Sequence, residues 1–180
     1  MLIEAATSAL MLVDAQSRLL PAIDDGAACV ERCRLLLEGA RRLAVPILAA
    51  EQYPEGLGPT VTALAGLVPP GRIYPKRHFA AGADPAIAAA LQALGRPQIV
   101  LCGMEAHVCV LQTALDLPRL GLRPIVVADA VASRRPESRT LALARLRARG
   151  VEIVSAEMVL FEWLGVAGTP DFKALLPLIR

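Results

Sequence analysis

"PQIVLCGMEAHVCVLQTALDLPRLG", residues 97–121, is the stretch on which the fold turns. Its first part, QIVLCG (98–103), is almost continuously apolar and stops at a glycine. A strand with one wet face would alternate; a continuous run suits a strand buried on both faces, as in a parallel sheet covered by helices. The residues from 107 to 118 then switch to helical spacing. Four more runs read like the first: SALMLVD (8–14), VPILAA (45–50), RPIVVAD (123–129) and VEIVSA (151–156). GRIYPKRHF (71–79) adds a shorter extended piece.

The segments between these runs read as helices with legible ends. Asp84 is placed as an N-cap with Pro85 at the first helical position, and Gly95 closes that helix. PESRTLALARLRARG ends likewise at Gly150, and CRLLLEGARRL is a third helix. Alternating strands and helices predict an α/β fold, a doubly wound, Rossmann-like three-layer α/β/α arrangement with a mainly parallel sheet. Residues 1–180 are expected to form one domain. The Gly/Pro-rich stretch YPEGLGPT (53–60) reads as a loop at one end of the sheet.

Composition narrows the function. The net charge is +2 and aromatic residues make up 3%, so neither a basic nucleic-acid patch nor a base-stacking platform is expected. Arg139 to Arg149 alternates with Leu and Ala and reads as a solvated helix face. The longest charge-free run, Gly56 to Gly71, contains Pro59, Pro69 and Pro70, and no membrane span is expected. The N-terminus lacks the basic start of a signal peptide, and a cytoplasmic location is the expectation. Four cysteines without a C-x-x-C pair, and two histidines, predict free thiols, no structural zinc and no cofactor. Hydrophobic residues reach 55% with mean hydropathy +0.50, which points to a homo-oligomer, dimer or higher. The segment carrying Phe161, Trp163, Leu164 and Phe172 supplies apolar surface for it.

In open parallel sheets ligands bind beyond the C-terminal strand ends. Here those ends carry Asp14, Glu51, Gln52, Cys102 to Glu105, and Asp129, with Lys76 brought alongside by the short extended piece. Cys109 follows in the first turn of the next helix, where backbone N–H groups and the positive helix end favour a thiolate. Each residue has a plainer reading. Asp14 can cap a turn, Lys76 can be a surface charge, Cys109 can pack a core, and Asp129 can bond the turn that follows it.

Taken together, MLVDAQ, AAEQYPEGLGPTV, PKRHF, LCGMEAHVCVLQTALDL, VVADAVASR and FKALLPLI resemble the isochorismatase-like cysteine hydrolases, most closely the small isochorismatase-domain-containing proteins. The likeness runs from about Ser8 to Lys173. It implies a catalytic triad of Asp14, Lys76 and Cys109, and an oxyanion hole from the backbone N–H groups of Glu105 and Cys109. It also implies a cis peptide between Met104 and Glu105. Gln16, Gln52, Tyr53, Phe79 and His107 are candidates for the pocket. The nicotinamidases of this superfamily hold a metal with an Asp-x-His…His set after the second strand. Here that region reads AAEQYPEGLG, so no metal is expected. Ala80 also stands where many relatives have serine, and the cysteine argues against vinyl-ether hydrolysis. The implied activity is metal-independent hydrolysis of a small amide or related C–N bond through a thioester. The alternatives are an idle family member serving as a scaffold, or thiol redox sensing by Cys109.

Overall fold

Four of the five apolar runs become strands whose neighbours satisfy the backbone on both edges, and the fifth, 151–156, closes one edge of the sheet. The computed structural model describes residues 2–179. In chain order the elements are β1 (Ser8–Val13), α1 (Gly26–Arg42), β2 (Ile47–Gln52), α2 (Pro54–Leu57), α3 (Thr62–Ala65), β3 (Ile73–Lys76) and α4 (Pro85–Ala93). There follow β4 (Gln98–Met104), α5 (Leu111–Asp116), β5 (Arg123–Ala132), α6 (Pro136–Ala148), β6 (Glu152–Val154), α7 (Ala156–Leu164) and α8 (Pro170–Ile179). The sheet has six strands in the order β3-β2-β1-β4-β5-β6, and every pair is parallel.

The two-residue period survives inside strands that are buried throughout. Leu10 and Leu12 of β1 join a cluster with Leu36, Leu37 and Ala40 of α1 and Val159, Leu160 and Trp163 of α7. Ala9, Met11 and Val13 point the other way, into a cluster with Ile87 and Leu91 of α4, Ala114 of α5 and Leu146 of α6. Burying one such side chain contributes roughly 1.5–3 kcal/mol, so two filled faces are what hold the layers together.

Order β2-β1-β4-β5 means that the chain leaves β1 toward one edge and β4 toward the other. A crevice opens where adjacent strands diverge in this way. Gly103 fits the narrowest point: its φ is 126°, and an added Cβ would lie 2.0 Å from the carbonyl oxygen of Val13. A side chain there would push β4 away from β1.

Three expectations are adjusted. The segment 107–118 is not one helix: a π-helical turn spans Ala106–Val110, α5 follows, and a 3-10 turn closes it at Leu117–Leu120. Asp84 holds the N-cap position of α4, yet its carboxylate accepts from the backbone N–H of Arg77 (3.1 Å) and His78 (3.3 Å). It thereby ties the loop after β3 to α4. Trp163 is buried against its own sheet, while Phe161 and Phe172 pair ring to ring at 6.4 Å and Phe161 stays exposed. Among the described residues no helix is long and apolar enough to cross a membrane.

Candidate active site

The three ends nearest the crevice share a backbone feature. Asp14 after β1, Tyr53 after β2 and Glu105 after β4 all have positive φ, at 51°, 40° and 59°. Non-glycine residues adopt this region at a cost, and such strain tends to collect at functional sites. It turns each chain sharply at the sheet edge.

Asp14 and Lys76 meet at that edge. Lys76 Nζ donates to Asp14 Oδ2 at 2.9 Å, and both side chains are 0% exposed. The same ammonium donates to Gln52 Oε1 at 2.6 Å and more weakly to the carbonyls of His78 (3.3 Å) and Phe79 (3.4 Å). A buried ion pair is expensive to desolvate, so the extra acceptors matter. Gln52 Nε2 in turn donates to the Arg77 carbonyl at 2.9 Å, which fixes the amide. Gln52 is therefore the link that holds Lys76 from behind.

Among the described residues Asp14 Oδ1 has no hydrogen-bond partner, although it is buried. Burial raises the Asp14 carboxyl above its ordinary value of 3.8; Lys76, the Cys109 thiol and the Gln52 backbone pull it back only in part. The Cys109 sulfur lies 4.0 Å from Gln52 Oε1, in the π-helical turn. Its thiol is pushed well above the ordinary range, first by burial and then by the Asp14 charge, with Lys76 opposing. This reverses the expectation that Lys76 and a helix start would favour a resting thiolate. The ammonium is spent on Asp14, and a negative carboxylate faces the sulfur.

These groups open into a cavity of about 540 Å³, lined among others by Asp14, Gln52, Phe79, Glu105, Val108 and Cys109. Of the residues predicted for the pocket, Gln52 and Phe79 line it. Gln16, Tyr53 and His107 do not. Gln16 is a buried staple: its Oε1 accepts from the Gln52 N–H at 2.7 Å, and its Nε2 donates to the carbonyls of Gln52 (3.0 Å) and Gly58 (2.6 Å). Tyr53 points outward, with the Arg77 guanidinium 4.4 Å from its ring centroid. His107 Nδ1 lies 3.0 Å from Ser133 Oγ, and its Nε2 is 3.6 Å from Glu105 Oε2.

Other donors at the edge are committed to structure. Glu51 Oε1 accepts from the Thr60 N–H (2.6 Å) and hydroxyl (2.7 Å). Asp129 Oδ1 accepts from the Ala156 N–H at the start of α7, at 2.8 Å, rather than from the turn after its own strand. Among the described residues no group of three or more His, Cys, Asp or Glu side chains converges as a metal cluster would.

The peptide between Met104 and Glu105 is trans, which corrects the expected cis bond. The chain makes its turn through the left-handed conformation of Glu105 (φ 59°, ψ 60°) instead of through the peptide. The Glu105 side chain is clamped by Arg134, whose Nε and Nη2 donate to its two oxygens at 3.0 and 3.3 Å. Arg18 and Arg134 line the cavity and went unnoticed in the sequence. Neither had a clear signal: Arg18 lies four residues after Asp14 in DAQSRLL, in a turn and not a helix.

Comparison with known proteins identifies the family and the fold. A family profile described as an isochorismatase domain matches residues 8–158. Isochorismatase domain-containing protein 1 of Danio rerio is 38% identical over 175 residues, covering 97% of this chain, which spans 62% of that relative's length. The MAR1 ribonuclease of Caenorhabditis elegans superposes with a TM-score of 0.92 at 33% identity, over 99% of this chain and 92% of the other. The YcaC gene product of Escherichia coli, described as an octameric hydrolase of unknown specificity, shares the fold with a TM-score of 0.87 at 21% identity, over 98% and 95% of the two chains.

Proposed function

The chain belongs to the isochorismatase family, and on that premise we propose that it is a metal-independent cysteine hydrolase. It cleaves a small amide or related C–N bond through a thioester on Cys109. The observation that carries this reading is the unpartnered Asp14 Oδ1, a buried carboxylate oxygen aimed into the same cavity as a neutral thiol. A carboxylate raised by burial is a stronger base than one in water, and a thiol needs such a base to react at neutral pH.

The steps balance as follows. Cys109 Sγ attacks the amide carbon while its proton passes to Asp14. The carbonyl oxygen gathers charge, and the backbone N–H groups of Glu105 and Cys109 donate to it. Asp14 then protonates the leaving nitrogen, the C–N bond breaks and a thioester remains. Asp14 next accepts a proton from water, which attacks the thioester carbon, and returns it to the departing sulfur. Lys76 stays protonated and keeps Asp14 oriented. Gln52 orients Lys76.

Metal independence accords with the donors at the end of β2, where Glu51 holds Thr60 and Gln52 holds Lys76. The scaffold alternative does not account for a buried ion pair and a thiol kept together on an open cavity. The name ribonuclease belongs to the nematode protein; the near-balanced charge of this chain supports a small-molecule substrate and no nucleic-acid partner. A cytoplasmic location accords with four free cysteines. A homo-oligomer accords with exposed Leu141, Met158, Phe161 and Val166 and with the octamer of the E. coli protein.

The test is the pH dependence of iodoacetamide labelling. At pH 6.5 Cys109 reacts ahead of Cys29, Cys33 and Cys102, read by peptide mass spectrometry. Because the Asp14 carboxyl is raised, the base is lost as pH falls, so the rate declines on an acid limb lying above 3.8. Asp14→Asn erases that limb. Equal labelling of all four cysteines would refute the activated nucleophile.

A further inference from the structure

Charge around the cavity does not cancel. Two carboxylates line it, and each has its own cation: Asp14 has Lys76 at 2.9 Å and Glu105 has Arg134 at 3.0 Å. Besides Arg134 the lining holds one more cation, Arg18, and among the described residues no carboxylate pairs with it. Its Nη1 instead donates to the carbonyls of Glu55 (3.1 Å) and Gly56 (3.2 Å). Its backbone N–H donates to the Leu57 carbonyl at 3.0 Å. The side chain is thus held at the rim by the carbonyls of α2 rather than left to sweep through solvent. A guanidinium has five N–H donors in a rigid fork, and only those of Nη1 are engaged by these carbonyls.

We infer that Arg18 is the anion-binding subsite of this cavity, and that the substrate carries a carboxylate at the end away from the C–N bond that is cut. A cationic substrate would find both lining carboxylates already neutralised. A carboxylate would meet a positioned cation with spare donors, and the charge-assisted, forked bond that results is among the stronger ones available. The rest of the lining is largely apolar, with Leu19, Ala22, Leu57, Phe79 and Val108 contributing. The substrate class is therefore a short aliphatic or aromatic acid with an amide or related C–N group at its other end. Arg18 touches substrate as a binding residue and takes no part in proton transfer.

This inference rests on Cys109 being the nucleophile, and the experiment separates the two. N-(iodoacetyl)-β-alanine and its primary amide both place a CH₂ group against a thiol: sulfur displaces iodide, which leaves with its bonding pair, and the thiol proton goes to Asp14. They differ only at the far end of the tail, a carboxylate or a neutral amide. The ratio of the acid's rate to the amide's rate at Cys109 is compared with the same ratio for a small free thiol. A ratio about tenfold above the free thiol is expected for the wild type, one tenfold step being the scale of one good charge-assisted bond. It shrinks at roughly 0.5 M salt because the subsite is at the rim. Arg18→Met brings the ratio back to the free-thiol value and Arg18→Lys retains part of the excess. A wild-type ratio no higher than the free thiol, or one unaltered in Arg18→Met, overturns the subsite while leaving the nucleophile in place. Failure of both reagents to modify Cys109 overturns the nucleophile, and the subsite with it.

Discussion

Sulfur occurs on both faces of the central sheet, and the two settings differ in one respect that decides their chemistry. Cys29, Cys33 and Cys102 cluster on the α1 and α7 side, whereas Cys109 belongs to the opposite side with α4, α5 and α6. All four are buried, Cys29 at 3% and Cys109 at 4% exposure, so burial does not separate them. Nor does the direction of the thiol shift. Cys29 and Cys33 are also pushed far up, chiefly by hydrogen bonding among the sulfurs and by burial. The difference lies in the acceptors. Cys29 and Cys33 sit against the Ala130 carbonyl at 3.5 and 3.4 Å, and Cys102 against that of Met11 at 3.9 Å. A carbonyl accepts a hydrogen bond but does not take the proton at neutral pH. A carboxylate does, and Asp14 faces the Cys109 thiol, whereas Cys29, although its cavity also holds Asp24, Asp25 and Asp129, keeps its sulfur on the Gly103 and Ala130 carbonyls. On the proposed mechanism a reactive cysteine is set apart by a proton acceptor within reach, not by a lowered resting pKa.

The largest expected effect breaks that contrast at its centre. Cys109→Ala and Asp14→Asn each lower kcat/KM for a hydrolysed amide by at least about 10⁴-fold, roughly 5.5 kcal/mol, because nucleophile and base act as a unit. Circular dichroism of both variants should still show a folded protein. Activity of Cys109→Ala within tenfold of wild type would end the mechanism.

The next effect is on stability and tests what keeps the base charged. Lys76→Met strands the Asp14 carboxylate in a buried site, and unfolding free energy falls by about 3–5 kcal/mol at neutral pH, measured by denaturant titration. The sign with pH is fixed. A carboxyl whose folded pKa lies above its unfolded value stabilises the fold below the unfolded value and loses that contribution as pH rises through the folded one. The deficit of Lys76→Met therefore shrinks toward pH 4, where the stranded group takes up a proton. A deficit independent of pH would mean that Lys76 matters for packing and not for charge.

The same contrast shows how far the sequence could be read. The strands were legible because continuous apolar runs admit few alternatives: β1 and β4 lie within a residue of the runs 8–14 and 98–103. Asp14, Lys76 and Cys109 could be nominated because strand ends converge in a parallel sheet and because the motifs resemble a known family. The π-helical turn was not legible. LQTALDL has ordinary helical spacing, and the departure at Ala106–Val110 comes from the left-handed Glu105, a tertiary demand with no local signature. Gln16, Tyr53 and His107 were rightly placed near the edge but wrongly aimed. Side-chain direction there depends on loop carbonyls, such as that of Gly58, which sequence spacing does not locate. The committed ion pair of Glu105 with Arg134 was hidden for the same reason.

The smallest effect sharpens the comparison from the other side of the sheet. Cys33→Ala removes a sulfur that donates to the Ala130 carbonyl at 3.4 Å, yet Cys29 donates to that same oxygen at 3.5 Å. The acceptor keeps a partner, so the loss is confined to a small void and its dispersion contacts, about 1 kcal/mol. In a chain of 180 residues that corresponds to a fall in Tm of roughly 2–4 °C. No group near Cys33 exchanges a proton with the cavity, and kcat/KM should stay within about twofold of wild type, since the sheet separates the two clusters. Calorimetry and steady-state kinetics on the one variant read both quantities. A tenfold loss of activity at unchanged Tm would show that the sulfurs on the two faces work together, and the contrast between a structural and a reactive thiol would not hold.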